Sequence, residues 1–348
     1  MSFIKGADVS WLKWIEDLGG KYYDNKQEKG CLEILKSKGI NYIRLRIWNN
    51  PSFNYCNKQS TLDMAKRIKA LGFKFLLDFH YSDYWADPAN QNKPKAWENL
   101  SFQELKQEVY NYTLDIIGSL REQNTLPDMV QIGNEITWGM LWPETKLVCE
   151  EPCFEQWDKF TELIKAGIDG LIDATHPDEH IKIMIHIDRG GDNETSRWFF
   201  DNLLSKGVEF DVIGQSFYPM WHGTLSDLKA NLNDLATRYD KEIVVVECSY
   251  PFTLKNSGGS NNIITGEEQL HKGYTATPDG QAKYMRDIMI IVKAVYNNKG
   301  GGIFYWEPDW IIVDNENSNK YSVNNWYSQA LFDFKGKALM ALDVFKEF

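Results

Sequence analysis

Two hydrophobic periods alternate along the chain. Short apolar or period-two runs begin near positions 4, 41, 73, 129, 181, 212, 243 and 302, and stretches with helical spacing lie between them. The predicted strands are Phe3 to Ser10, Asn41 to Trp48, Phe73 to Tyr81, the start of Met129 to Trp138, Ile181 to Ile187, Val212 to Phe217, Glu242 to Glu247 and Gly302 to Trp306. Helices are predicted over 31–38, 61–71, 102–123 and 154–174. Gly39 and Gly72 follow the first two, and His176-Pro177 ends the fourth, as glycine and proline do after a helix. Each strand is followed, after a loop, by a helix-compatible stretch, with no linker or low-complexity break. This pattern predicts a single (β/α)8 TIM barrel over 1–348 with elongated βα loops. An open doubly wound sheet is the competitor, but its Gly-rich phosphate turn is missing after the first strand, which reads GADVS.

In a parallel barrel the C-terminal strand ends form one mouth, where ligands collect. Here they carry Asp8 and Ser10, Arg46, Asp78 and His80, Asn134 and Glu135, His186 and Asp188, Tyr218, Glu247, and Trp306 with Glu307. In the second strand, Ile43, Leu45 and Ile47 share one face, while Tyr42, Arg44, Arg46 and Trp48 share the other. Two arginines in a buried strand need partners, because an unpaired buried charge is costly. One strand-end glutamate is equally well read as a paired structural residue. Glu135 and Glu247 on two strands of one barrel suggest general acid–base work, and two carboxylates at one mouth suit glycoside hydrolysis. In that chemistry an arginine keeps one carboxylate ionised, and a drier setting raises the pKa of the other. His80 and His186 are as well read as hydrogen-bonded scaffold.

Composition narrows the choice. Aromatic residues make up 14% of the chain, with 13 Trp, 17 Tyr and 18 Phe, more than a core requires, so some rings are expected in a groove that suits sugar faces. A net charge of −11 argues against nucleic acid, which needs a basic face. No apolar run approaches a membrane span, and the N-terminus lacks an apolar signal segment. Five cysteines leave at least one unpaired; Cys149 and Cys153 could bridge locally in an oxidising compartment. No zinc-ligand spacing occurs.

Longer motifs carry a resemblance. GADVS at 6–10, RLRIWNNP at 44–51, DFHYSDYWADP at 78–88, KPKAW at 93–97 and QIGNEITWG at 131–139 resemble the endo-β-1,4-galactanases (arabinogalactan endo-β-1,4-galactanases), retaining (β/α)8 glycoside hydrolases. HIDRGGDN, IGQSFYPMWHGT and YWEPDW extend the likeness over the whole chain. The resemblance implies Glu135 as acid/base and Glu247 as nucleophile, acting on β-1,4-galactan side chains of pectin. Arg46, Asn134, Tyr218 and Trp306 would line the site of the cleaved sugar; Asp83, Trp85 and Trp326 would hold sugars on the non-reducing side. His80, His186 and Asp188 join the expected substrate-binding set. Bacterial relatives can carry calcium after strand seven. The corresponding Asn256, Gly258, Ser260 and Asn262 lack carboxylates, so no metal and no other cofactor is expected. The protein is expected to be a monomer, secreted, periplasmic or surface-anchored, with its export signal absent. Competing readings are a retaining hydrolase of mannan or glucan, a non-catalytic glycan-binding barrel and a metal-dependent hydrolase.

Overall fold

A computed structural model describes residues 2–147, 154–256, 262–313 and 325–348. The proposed Cys149–Cys153 bridge and most of the calcium-loop stretch lie outside these residues. Cys31, Cys56 and Cys248 are free and buried.

Eight parallel strands close a barrel in sequence order. They are β1 (Ile4–Asp8), β2 (Tyr42–Ile47), β3 (Lys74–Phe79), β4 (Met129–Ile132), β5 (Lys182–Ile187), β6 (Val212–Phe217), β7 (Glu242–Cys248) and β8 (Gly300–Tyr305). Long helices at Lys58–Ala70, Phe102–Glu122, Phe154–Asp173, Asn193–Ser205, Leu225–Tyr239 and Pro278–Lys293 follow strands two to seven. The helix predicted from Thr61 begins three residues earlier, because Asn57 caps it: its side chain accepts from Ser60 N–H. After β8 the expected α-helix is replaced by a 3-10 run, Met340–Glu347. A small hairpin, Tyr22–Asp24 with Gln27–Lys29, sits in the loop after β1, where Tyr23 N–H donates to Gly336 O and ties the loop to the chain end.

Alternation along the strands stacks the barrel interior in layers. Ile4, Tyr42, Leu76, Met129, Met184, Val212, Val244, Val246 and Phe304 form the apolar floor, with at least one residue from every strand. One step towards the mouth the inward residues turn polar: Asp8, Arg44, Asp78, Gln131, His186 and Ser216 are all fully buried. The outward positions of β2, Ile43, Leu45 and Ile47, join the larger core against the helices, as their phase predicts.

The floor is tight at Gly6. A Cβ there would lie 2.2 Å from Phe304 Cδ1, so the missing side chain is what admits the ring. Gly6→Ala is expected to cost about 1–3 kcal/mol by overpacking, read as a lower urea midpoint, with partial recovery when Phe304→Leu is added. An unchanged midpoint for Gly6→Ala would contradict this packing.

Candidate active site

Local backbone irregularities deliver the two glutamates. In β7 strict alternation would send Val244, Val246 and Cys248 inward and Glu247 out to the helices. The register slips instead: Gln215 pairs with Val245, but the next residue, Ser216, pairs with Glu247. This bulge turns Glu247 to the mouth and Cys248 to the outer core. After β4 the chain passes through Gly133 at φ +81° and Glu135 at φ +48°. Positive φ is uncommon for a glutamate and marks a conformation held by its surroundings. It opens the short 3-10 turn Ile136–Trp138, so MVQIGNEITW is strand only as far as Ile132. Glu307, just beyond β8, also has φ +48°.

Arg44 is the hub beneath the mouth. Its Nη1 donates to Glu247 Oε1 at 2.8 Å and to Asp8 Oδ2 at 3.3 Å; its Nη2 donates to Asp78 Oδ2 at 2.8 Å and to Asn134 Oδ1 at 2.9 Å. Tyr218 O–H donates to Glu247 Oε2 at 3.0 Å. Burial pushes the Glu247 carboxyl up to about 7 against the opposing pull of Arg44. Among the described residues no guanidinium pairs with Glu135; Ser216 Oγ lies 2.6 Å from its Oε1. Burial first, then the charges of Glu247 and Asp188, hold the Glu135 carboxyl well above the usual carboxylate range. The environment therefore sets Glu135 apart as the more persistent acid.

Oxygens of Glu135 and Glu247 and a nitrogen of His186 lie within 4.8 Å of one another. Arg44 supplies a cation beside Glu247, and His186 Nε2 is engaged by Ser216 Oγ at 2.8 Å.

The two glutamates open into a cleft of about 960 Å³ lined by Trp11, Tyr84, Trp85, Asn134, Asp188, Tyr218, Trp221, Trp306, Trp310 and Trp326 among others. Of the residues expected to bind substrate, Trp85, Asn134, Asp188, Tyr218, Trp306 and Trp326 line this cleft. Asp188 accepts from Thr137 O–H at 2.5 Å. The other four do not line it. Arg46 lies beneath the indole of Trp85, 4.0 Å from the ring centre, and pairs with Glu307 Oε1 at 3.1 Å. It fixes Trp85 by a cation–π contact, and the arginine beside Glu247 is Arg44. His80 Nδ1 accepts from Trp48 Nε1–H and Ala86 N–H, which leaves Nε2–H to donate to Asp78 Oδ2 at 3.1 Å. Asp83 accepts the backbone N–H groups of Asn50 and Lys95, so it braces two loops. His186 is fully buried beneath the cleft floor.

A parallel barrel with two strand-end glutamates in an aromatic cleft defines the class of barrel glycosidases. The sequence profile described as glycosyl hydrolase family 53 matches residues 4–345, and the chain belongs to that family. It is 51% identical over 99% of its length to a Niallia circulans protein described as "Uncharacterized protein in bgaB 5'region", covering 94% of that protein. It is 36% identical to the "Arabinogalactan endo-beta-1,4-galactanase" of Thermothelomyces thermophilus, covering 98% of each chain. Its fold superposes on the "Ignisphaera aggregans GH53 catalytic domain" with a TM-score of 0.90 at 43% identity, covering 99% of this chain and 95% of that one.

Glu307 has a further consequence. Burial lifts its carboxyl to about 7 against the pull of Arg46. Its folded-state pKa lies above the ordinary carboxylate value, so its stabilising contribution is complete below that value and is lost as pH rises through about 7. Glu307→Gln should therefore gain stability relative to the wild type as pH rises from about 4.5 to 7, measured as the difference in Tm. A difference that stays flat or falls over that range would contradict the assignment.

Proposed function

We propose that the protein is an endo-acting, retaining glycosidase that hydrolyses β-1,4-galactosidic bonds in galactan and arabinogalactan side chains of pectin. The observation that carries this reading is the unequal pair of buried carboxylates: oxygens within 4.8 Å, with Arg44 paired to Glu247. Carboxyl groups about 5 Å apart suit a covalent double displacement, whereas inversion needs a gap of roughly 6.5–9.5 Å for an intervening water.

In the first step Glu247 attacks the anomeric carbon, a carboxylate–sugar bond forms, and the glycosidic C–O bond breaks as Glu135 gives its proton to the leaving oxygen. In the second, water attacks the same carbon, its proton returns to Glu135, and Glu247 leaves as carboxylate. Arg44 and the Tyr218 hydroxyl hold Glu247 in place through both steps. Asn134 lines the cleft beside the reacting centre, and the indoles of Trp85 and Trp306, 5.9 Å apart, offer flat faces to sugar rings. The choice of galactan follows the name of the Thermothelomyces relative.

The same reading makes the enzyme a monomer without metal or cofactor that acts outside the cytoplasm, where pectin is found. Its net charge of −11 suits a neutral glycan rather than nucleic acid, and among the described residues no helix is long and apolar enough to cross a membrane.

Digestion of β-1,4-galactan should release intermediate oligosaccharides, with the β-anomer formed first by proton NMR. First release of the α-anomer would contradict retention, and cleavage of mannan or β-glucan in preference to galactan would move the substrate. Glu247→Ala should lower kcat by roughly 10⁴-fold or more; a normal rate would remove it as nucleophile. For Glu135→Gln the loss should be large on galactan and small in the first step on substrates with good leaving groups, which need no proton. Equal losses on both would count against the acid role. Activity should survive chelator treatment, and chelator-dependent loss would favour a metal-assisted hydrolase.

A further inference from the structure

Among the described residues, Glu135 reaches the polar layer of the barrel through one oxygen. Its Oε1 meets Ser216 Oγ at 2.6 Å, Ser216 Oγ meets His186 Nε2 at 2.8 Å, and His186 Nδ1 lies 3.1 Å from Gln131 Nε2 and 3.0 Å from Asn134 Oδ1. Ser216, His186 and Gln131 are fully buried. The other oxygen of Glu135 belongs to a side chain that lines the cleft.

The groups at the far end of this chain bear on its direction. Gln131 Nε2 must be the amino group, because it donates to Asp78 Oδ1 at 2.7 Å while its Oε1 accepts from Arg44 Nη2 at 3.2 Å. Asn134 is also fixed: its Nδ2 donates to Ala86 O at 2.8 Å, and its Oδ1 accepts from Arg44 Nη2 at 2.9 Å. Gln131 Nε2 has two hydrogens; with one on Asp78, the other lies within reach of Gly133 O at 3.1 Å, Asn134 Oδ1 at 3.0 Å and His186 Nδ1 at 3.1 Å. His186 Nδ1 therefore sits between an amino group at 3.1 Å, from which it can accept, and the Asn134 oxygen at 3.0 Å, to which it could donate. With Nδ1 accepting from Gln131, the imidazole hydrogen sits on Nε2 and faces Ser216.

We propose that Ser216 and His186 are positioning residues that place the catalytic proton: His186 donates Nε2–H to Ser216 Oγ, Ser216 donates its hydroxyl hydrogen to Glu135 Oε1, and the acid proton is thereby confined to Oε2, the oxygen free to face substrate. This rests on Glu135 being the acid/base of the proposed reaction. The hydroxyl keeps the same direction after the proton has gone, now donating to the carboxylate, so nothing reorients between the two steps. Burial, then the nearby positive charge of Arg44, keeps His186 well below the usual histidine range, neutral with one N–H to give. Around Glu135 the other facing charges are Glu247, Asp188 and Asp87; around His186 they are Arg44, His80 and His222.

The test is the pH profile of kcat/KM on galactan for the wild type, Ser216→Ala, Ser216→Thr and Glu135→Gln. A donor to the carboxylate favours the charged form, so its loss should move the alkaline limb upward by roughly one pH unit. kcat should fall with it, and Ser216→Thr should restore both. A limb that stays put or moves down in a folded Ser216→Ala overturns the proposal. Glu135→Gln should abolish the limb; if the limb persists, the acid assignment itself fails, an outcome distinct from failure of the relay alone. Nitrogen-15 NMR of labelled histidine, assigned with His186→Gln, reads the wild-type protein independently of activity. It should show His186 as the neutral Nε2–H form between about pH 5 and 8, and an Nδ1–H form or an imidazolium in that range overturns the proposal.

Discussion

The guanidinium of Arg44 bonds to carboxylates from β1, β3 and β7 and to the Asn134 amide oxygen after β4, which makes it the centre of the barrel's upper layer. Burying such a charge is costly unless each hydrogen-bonding partner is in place. The partners are equally dependent, since Asp8 and Asp78 are fully buried and would face one another without it. The same contact separates the two glutamates electrically. It draws Glu247 towards the ionised form while Glu135, with a serine hydroxyl and a neutral imidazole behind it, keeps its proton.

That division of labour depends on a layered interior. An apolar floor drawn from all eight strands closes the barrel below, so solvent reaches the polar layer from the mouth. Above it, the period-two alternation that put Ile43 and Leu45 against the helices put Arg44 and Arg46 inside. Two exceptions to regular geometry then supply the chemistry: a register slip aims Glu247, and a left-handed residue aims Glu135. Regular strands alone would have produced a packed barrel with its acids misdirected.

Much of this was legible in the sequence, because strand phase and strand ends are written in hydrophobic periodicity. Val212 to Phe217 was read to the residue, and the pairing of Glu135 with Glu247 needed only their positions at strand ends. What periodicity lacks is depth. Arg44 and Arg46 share one phase two residues apart, so the pattern could not say that the lower contacts Glu247 while the upper props Trp85. Ser216 carries no signal of its own beyond a small polar residue in phase with Val212. Asp83 and His80 sit in a motif dense with polar residues, yet their hydrogen bonds go to backbone and to neighbouring side chains rather than to the cleft. The bulge in EIVVVE is invisible to any reading that counts by twos.

The central claim is the order in which the two site carboxyls lose their protons. Carbon-13 NMR of the glutamate-labelled protein, with the two signals assigned through Glu135→Gln and Glu247→Gln, measures that order directly across a pH titration. Deprotonation of Glu247 at lower pH than Glu135 is the predicted result. Glu135 ionising first would contradict the roles assigned to both residues and to Arg44 between them.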